Sequence, residues 1–277
     1  MELGINILNF GPSATPDALA DWARFAEDGG FGFAMISDHV AVTPDVAGQY
    51  PAPFYDPFTT LAWLAGQTGR IGLGTTVTVL PYRHPLQTAR VTANLDRFSG
   101  GRLIFGVGVG WARREYAALG VPFERRGALT DEYLDVIVRA WTEDSVTYGG
   151  ETVDPRPHPA ASPHPPVWIG GQSAAAFRRA VRYGDAWHPI NQTPERVRDD
   201  GLPALRAAAE ELGRPVPALA PRIRLDAADP DRARREADAF AELGATHLLL
   251  DTYTGDPATA RPPEEDQRLL ADFAASL

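Results

Sequence analysis

Two hydrophobic periods alternate along this chain. Short apolar runs of strand type, at residues 3–8, 33–37, 71–80, 102–109, 167–170, 186–188, 222–225 and 247–250, are separated by stretches whose apolar positions recur at helical spacing. The helical stretches carry start and stop signals. Thr15-Pro16-Asp17 reads as a cap followed by proline at the first helical position; Leu19, Trp22, Ala23 and Ala26 mark one face, and Gly29-Gly30 ends it. Asp56-Pro57 opens a second helix that closes near Gly69. Further helices are expected over 85–98, through Leu129, Tyr133, Ile137 and Trp141, over 173–183, in a region broken at Pro203, over 230–243 and over 264–273. Between about 145 and 166 a Gly149-Gly150 turn and a dense set of prolines predict a hairpin followed by an extended arm, inserted before the fifth strand. Eight strand-helix units in one domain spanning 1–277 predict a (β/α)8 TIM barrel, not an open doubly wound sheet.

Three segments sit where an apolar run gives way to polar or glycine-rich chain, the place where α/β folds build sites: Ile36-Ser37-Asp38-His39, the run from Gly106 to Trp111, and Trp168-Ile169-Gly170-Gly171. Gly106, Gly108 and Gly110 alternate within a strand, which fits close packing inside a barrel as well as a close ligand approach, and the spacing departs from the dinucleotide fingerprint. Trp111 fits both core packing and a cofactor wall. Gly170-Gly171-Gln172-Ser173 leads into a helix, so its unpaired amides suit a phosphate; an ordinary turn capped by Ser173 is the plainer reading. Asp38 and His39 are neighbours facing opposite ways, suited to separate tasks and not to a simple dyad. His39, His84 and His188 all fall near strand ends, but no metal-binding spacing links them and no metal is expected.

Composition narrows the chemistry. The 277 residues contain no cysteine and no lysine, all 26 strongly basic residues being arginine. Disulfides, thiolate nucleophiles, Schiff-base lysines and Walker-type phosphate loops therefore drop out. A net charge of -10 disfavours nucleic acid and anionic membranes as partners. A hydrophobic content of 44% supports a sizeable core, no apolar run nears the roughly 18 residues of a membrane span, and a cytoplasmic protein is expected.

Taken in order, Gly4-Ile5-Asn6, Ser37-Asp38-His39, Asp56-Pro57-Phe58, residues 70–75, residues 95–102, the Gly106 to Trp111 run, residues 166–171 and Gly184-Asp185-Ala186-Trp187 resemble the bacterial luciferase-like monooxygenase family, and its coenzyme F420-dependent oxidoreductase branch most. The resemblance implies a flavin or deazaflavin across the barrel mouth, with phosphate near Gly170, Gly171, Gln172 and Ser173. It implies a bulge at Thr76-Val77 behind the ring, commonly with a cis peptide. Asp38, His39, Gly108, Gly110 and Arg114 then border the cofactor. The acidic residue that follows the glycine run in sugar-phosphate dehydrogenases of this branch is replaced by Trp111, so a less polar substrate is expected at Trp111 and Trp187, with Arg83 and His84 orienting a carbonyl or carboxylate. The expected activity is hydride transfer between coenzyme F420 and a small organic molecule, with His39 handling the proton. An FMN-dependent two-component monooxygenase, fed by a separate reductase, and a catalytically silent flavin-binding protein are the alternatives. A homodimer is expected.

Overall fold

The computed structural model describes residues 1–277. Its barrel strands are β1 (Glu2–Asn6), β2 (Phe33–Ile36), β3 (Gly72–Thr75, resuming at Thr78–Val79), β4 (Leu103–Gly108), β5 (Val167–Gly170), β6 (Ala186–His188), β7 (Ala218–Leu219 and Arg222–Arg224) and β8 (His247–Asp251). All barrel pairings are parallel, and each strand is followed by a helix. The helices are α1 (Pro16–Asp28), α2 (Pro57–Ala65), α3 (Pro85–Ser99), α4 (Arg126–Thr142), α5 (Ala174–Tyr183), α6 (Leu202–Leu212, entered through Pro194–Arg196 and Val197–Gly201), α7 (Pro230–Glu242) and α8 (Pro263–Ser276).

Strand β7 closes the ring. Its first half pairs with β6 and its second with β8, the interruption falling at Ala220-Pro221. Around that break Ala220 N donates to Trp187 O at 3.0 Å, and Leu249 N donates to Pro221 O at 2.9 Å. Strand β8 in turn pairs with β1, Glu2 opposite His247. The expected (β/α)8 barrel is the observed architecture.

Strand alternation sorts the side chains into two cores. Phe33, Met35, Trp168, Ala186, Ala220 and Leu249 pack inside the barrel. Their sequence neighbours Ala34, Ile169, Trp187, Leu219, Leu248 and Leu250 face the helices. The glycine run of β4 belongs to this packing. A Cβ at Gly106 would lie 1.8 Å from the Thr75 carbonyl oxygen, and one at Gly108 would lie 2.6 Å from Val77 Cγ2, so bare backbone is required where β3 crowds β4. Strand β3 breaks at the expected bulge, and the Thr76-Val77 peptide is cis.

The caps act as the sequence suggests: Thr15, Asp56 and Ser173 accept hydrogen bonds from Ala18, Thr59 and Ala176 amides. The expected break at Pro203 does not occur. A more widely wound turn, Val197–Gly201, precedes it, and Pro203 falls in the first turn of the next α-helical segment, where its missing amide costs no helical bond. The insertion forms an antiparallel hairpin, Val146–Tyr148 with Glu151–Val153, and then an arm pinned to α3 by Asp96, whose carboxylate accepts the Ala160 and Ala161 amides at 2.7 and 2.8 Å. No helix is long and apolar enough to cross a membrane.

Candidate active site

A cavity of about 670 Å³ opens at the carboxyl ends of the strands. Its first wall is the segment after β2. Asn9 fixes that segment, accepting from Ser37 N at 3.0 Å and donating to the Ser37 and Tyr55 carbonyls at 2.9 and 2.7 Å. Asp38 then turns inward to accept the Val79 amide at 2.9 Å and a two-pronged contact from Arg83 at 2.7 and 2.9 Å. Burial pushes the Asp38 carboxyl up, while Arg83 and the Val79 amide pull it back. Arg83 is half-buried, yet the Asp38 and Asp56 carboxylates hold its guanidinium above its ordinary range. The net effect on Asp38 is upward, and its two-pronged contact with Arg83 and its bond to the Val79 amide tie the end of β2 to the resumed part of β3.

His39 faces the cavity and is only 7% exposed. Its Nδ1 lies 2.6 Å from Oε2 of Glu115, a fully buried carboxylate on the short helix Arg113–Ala118. Glu115 also accepts the Val40 and Ala41 amides at 2.6 and 2.9 Å and the Tyr82 hydroxyl at 2.9 Å. Burial alone would raise the Glu115 carboxyl; the bonds from His39, Ala41 and Tyr82 hold it below the usual carboxylate range. Burial and this neighbouring charge push the Tyr82 hydroxyl well up. An ionised carboxylate only accepts, so His39 carries its proton on Nδ1 and presents Nε2 as the free nitrogen. Tyr50, Phe54 and Trp111 surround the imidazole at centroid separations of 5.2, 5.4 and 5.8 Å.

Opposite stands the amino end of α5. Gly171 adopts φ +103, and a Cβ there would sit 3.0 Å from Ala176 Cβ. Ser173 spends its hydroxyl on the Ala176 amide, while the amides from Gln172 to Ala175 meet no acceptor in the chain. Trp187 braces the turn from behind, donating its indole N–H to the Gly171 carbonyl at 2.8 Å. Two arginines flank it. Arg179 bonds Asp131 and the Gly127 carbonyl at 2.7 and 3.1 Å, and Arg126 lies 3.9 Å over the Phe123 ring with its buried Nε unpartnered. Free amides at a positive helix end beside two guanidiniums are the chemistry that suits an anion.

The floor is a buried polar chain. Asp251 accepts from Asn6 at 2.9 Å and pairs with Arg222, whose Nη1 reaches the Thr76 hydroxyl at 3.3 Å. Thr76 in turn meets His188 Nε2 at 2.9 Å. Full burial pushes His188 down to about 4, so it is neutral, with Nδ1–H directed at the Ala220 carbonyl and Nε2 accepting from Thr76.

Eleven residues singled out from sequence line this one cavity: Asp38, His39, Thr76, Val77, Gly108, Gly110, Trp111, Gly170, Gly171, Gln172 and Ser173. Four do not. Arg83 is consumed by Asp38 and Asp56, and His84 opens α3 with its ring against Tyr148 at 5.4 Å. Strand alternation turns Trp187 outward, toward Phe177, while His188 points in. Arg114 is exposed on the short helix, on the face away from Glu115. The histidines that raised a metal question, His39, His84 and His188, lie in three separate environments. Sequence reading missed Glu115, Tyr50, Arg126, Arg179, Arg222 and Asp251. The available signal was an acidic residue in the first turn after the glycine run, and charged residues on strands otherwise apolar.

A family model described as luciferase-like monooxygenase matches residues 1–276. An uncharacterized protein of Mycobacterium tuberculosis is 31% identical over 276 residues, covering 90% of this chain and 91% of its own. An F420-dependent glucose-6-phosphate dehydrogenase of Nakamurella multipartita is 34% identical over 245 residues, covering 83% of this chain and 68% of its own. Among solved structures, an F420-dependent secondary alcohol dehydrogenase in complex with an F420-acetone adduct shares the fold at TM-score 0.77 and 17% identity, covering 99% and 98% of the two chains. A monooxygenase from Streptomyces bottropensis shares it at TM-score 0.75 and 23% identity, covering 100% and 99%. The chain belongs to the luciferase-like monooxygenase family of oxidoreductases.

Proposed function

We propose that this protein is a coenzyme F420-dependent oxidoreductase that exchanges a hydride with a small carbonyl compound, alcohol or electron-poor double bond. The observation that carries the reading is the pairing of His39 with buried Glu115 in the same cavity as the amide cradle at α5. One group can hold a proton at the reaction centre and the other an anionic cofactor tail. The F420-dependent relatives at 34% and 32% identity support the choice of cofactor.

The residues present fit such a cofactor. The phosphate would rest on the amides from Gln172 to Ala175, in space that a Cβ at Gly171 would crowd, with Arg126 and Arg179 adding positive charge. The ring system would lie over Thr76 and Val77. When bound, the deazaflavin supplies or accepts the hydride. His39 Nε2 gives a proton to the nascent alkoxide oxygen in reduction, or takes one from the hydroxyl in oxidation. Glu115 stays ionised and stabilises the imidazolium that holds the proton. Trp111 and Tyr50 narrow the mouth and favour a substrate with an apolar body. With Trp111 after the glycine run and no lysine in the chain, a sugar phosphate is not the substrate proposed.

Parallel fluorescence titrations of purified protein with coenzyme F420 and FMN test the reading. Tighter binding of F420, with turnover on a panel of ketones, enones and alcohols, is expected. Preference for FMN with oxygen-dependent turnover would move the protein to the monooxygenases that use a separate reductase. Binding without turnover across the panel would favour a silent binder.

A further inference from the structure

A second cavity, of about 260 Å³, lies between the first turns of α1 and the loop joining β8 to α8. It shares no lining residue with the first. Phe10, Leu19, Trp22, Pro51 and Tyr253 form one apolar side of its wall, and each aromatic ring among them is less than 10% exposed. The charged groups and two of the hydroxyls at its rim are already engaged. Arg261 bonds Asp266 at 2.7 Å and the Thr252 carbonyl at 3.1 Å, and the Thr254 and Thr259 hydroxyls bond each other. Water gains little in such a space, because it needs polar partners. An ionic ligand would have no uncompensated charge to meet.

We propose that this cavity is a binding site for an uncharged, apolar small molecule of one to two fused rings. The size follows from volume: an apolar cavity of roughly 150 Å³ takes benzene, so this one holds a somewhat larger body. Aromatic walls supply contact area at little cost in rotamer freedom. The position gives the site a connection to the first. Phe10 stacks on Phe54 and meets Tyr50 edge to face, at 5.3 and 5.2 Å, and both rings pack on His39. One layer of rings separates the two cavities. The proposal stands independently of the redox reading.

Indole, an uncharged fused bicycle, titrated calorimetrically into the purified protein tests it. Saturable binding is expected, and Ala18→Phe, which fills the cavity from α1, should weaken that binding tenfold or more. If Ala18→Phe does not fold, Ser13→Trp on the exposed loop at the rim should do the same. Failure of indole to bind the wild-type protein, or equal affinity in a folded cavity-filling variant, would overturn the proposal.

Discussion

Glu115→Gln separates the role of a charge from the role of a shape. The substituted amide keeps an oxygen for the Val40 and Ala41 amides, which approach one side of the carboxylate at 2.6 and 2.9 Å. Its NH2 group then replaces Oε2, the atom that accepts from His39 Nδ1 and the Tyr82 hydroxyl. Flipping the amide only moves the conflict onto the two backbone amides. His39 escapes by shifting its proton to Nε2, and Tyr82 by rotating its hydroxyl. Hydrogen bonds to a charged group contribute roughly 1.5–3 kcal/mol each, and partial rescue by these shifts leaves an expected loss of about 2–4 kcal/mol in stability. Turnover on a verified substrate should fall by roughly 10²–10⁴, the scale of lost acid-base help, because Nε2 is no longer backed by an anion. The pH dependence has a definite sign. The Glu115 carboxyl is held below its ordinary value in the folded protein, so its contribution is complete above the usual carboxylate range and is lost as pH falls through the folded value. The stability gap between wild type and variant is therefore widest near neutrality and closes on acidification. Urea unfolding at several pH values measures the gap, and nitrogen NMR of the imidazole reads the tautomer. In a double-mutant cycle with His39→Asn, the second substitution should cost less than it does alone. A variant that unfolds at the wild-type midpoint with Nδ1 still protonated would refute the reasoning.

Gly171→Val sets a branched side chain at φ +103 against Ala176 and should weaken cofactor binding tenfold or more; a folded variant with wild-type affinity would remove Gly171 from the cradle. Arg222→Met leaves Asp251 buried without its cation, for which about 3–5 kcal/mol of stability loss is expected by chemical denaturation, and a loss under 1 kcal/mol would contradict the account of the floor. His188, pushed down to about 4 by burial, contributes stability that is complete above the ordinary histidine range and lost as pH falls toward 4. That loss should reach about 3 kcal/mol, and His188→Gln should flatten this part of the stability profile.

Most of the barrel is written in local pattern. The eight apolar runs, the proline and hydroxyl caps and the glycine turns each act within a few residues, which is why their positions agree with the structure. The turn into α5 was legible for the same reason: the glycines and the Ser173 cap act within four consecutive residues, Gly170 to Ser173. Glu115 was not, because an acidic residue on a short helix looks solvated until His39, 76 positions away, is known to lie beside it. Arg83 shows the converse. It resembled a free cation for a substrate carboxylate, but Asp38 and Asp56, 45 and 27 residues earlier, neutralise it. Trp187 was placed by its neighbourhood instead of its parity; the strand period puts His188 inside and the indole behind the turn. Pro203 was read by its usual effect, and the wider turn ahead of it removed the conflict.

The pairing of β1 with β8 has a bearing on how the site comes into being during synthesis. Asn6 and Asp251, 245 residues apart, meet in the floor of the cavity, and Arg222 takes its position from Asp251. The cradle and the His39 wall use strands made earlier, so they can take shape while the chain is still growing. The floor cannot. Contacts of such long sequence separation form late and set a slow final step, and domains of this size commonly pass through partly closed intermediates. A nascent chain lacking its eighth strand would present a groove with the open amino end of α5 and a histidine but no base plate. The cavity is therefore completed in one event, when the last strand docks, and a ribosome stalled before residue 247 would display the two walls of the cavity without its floor.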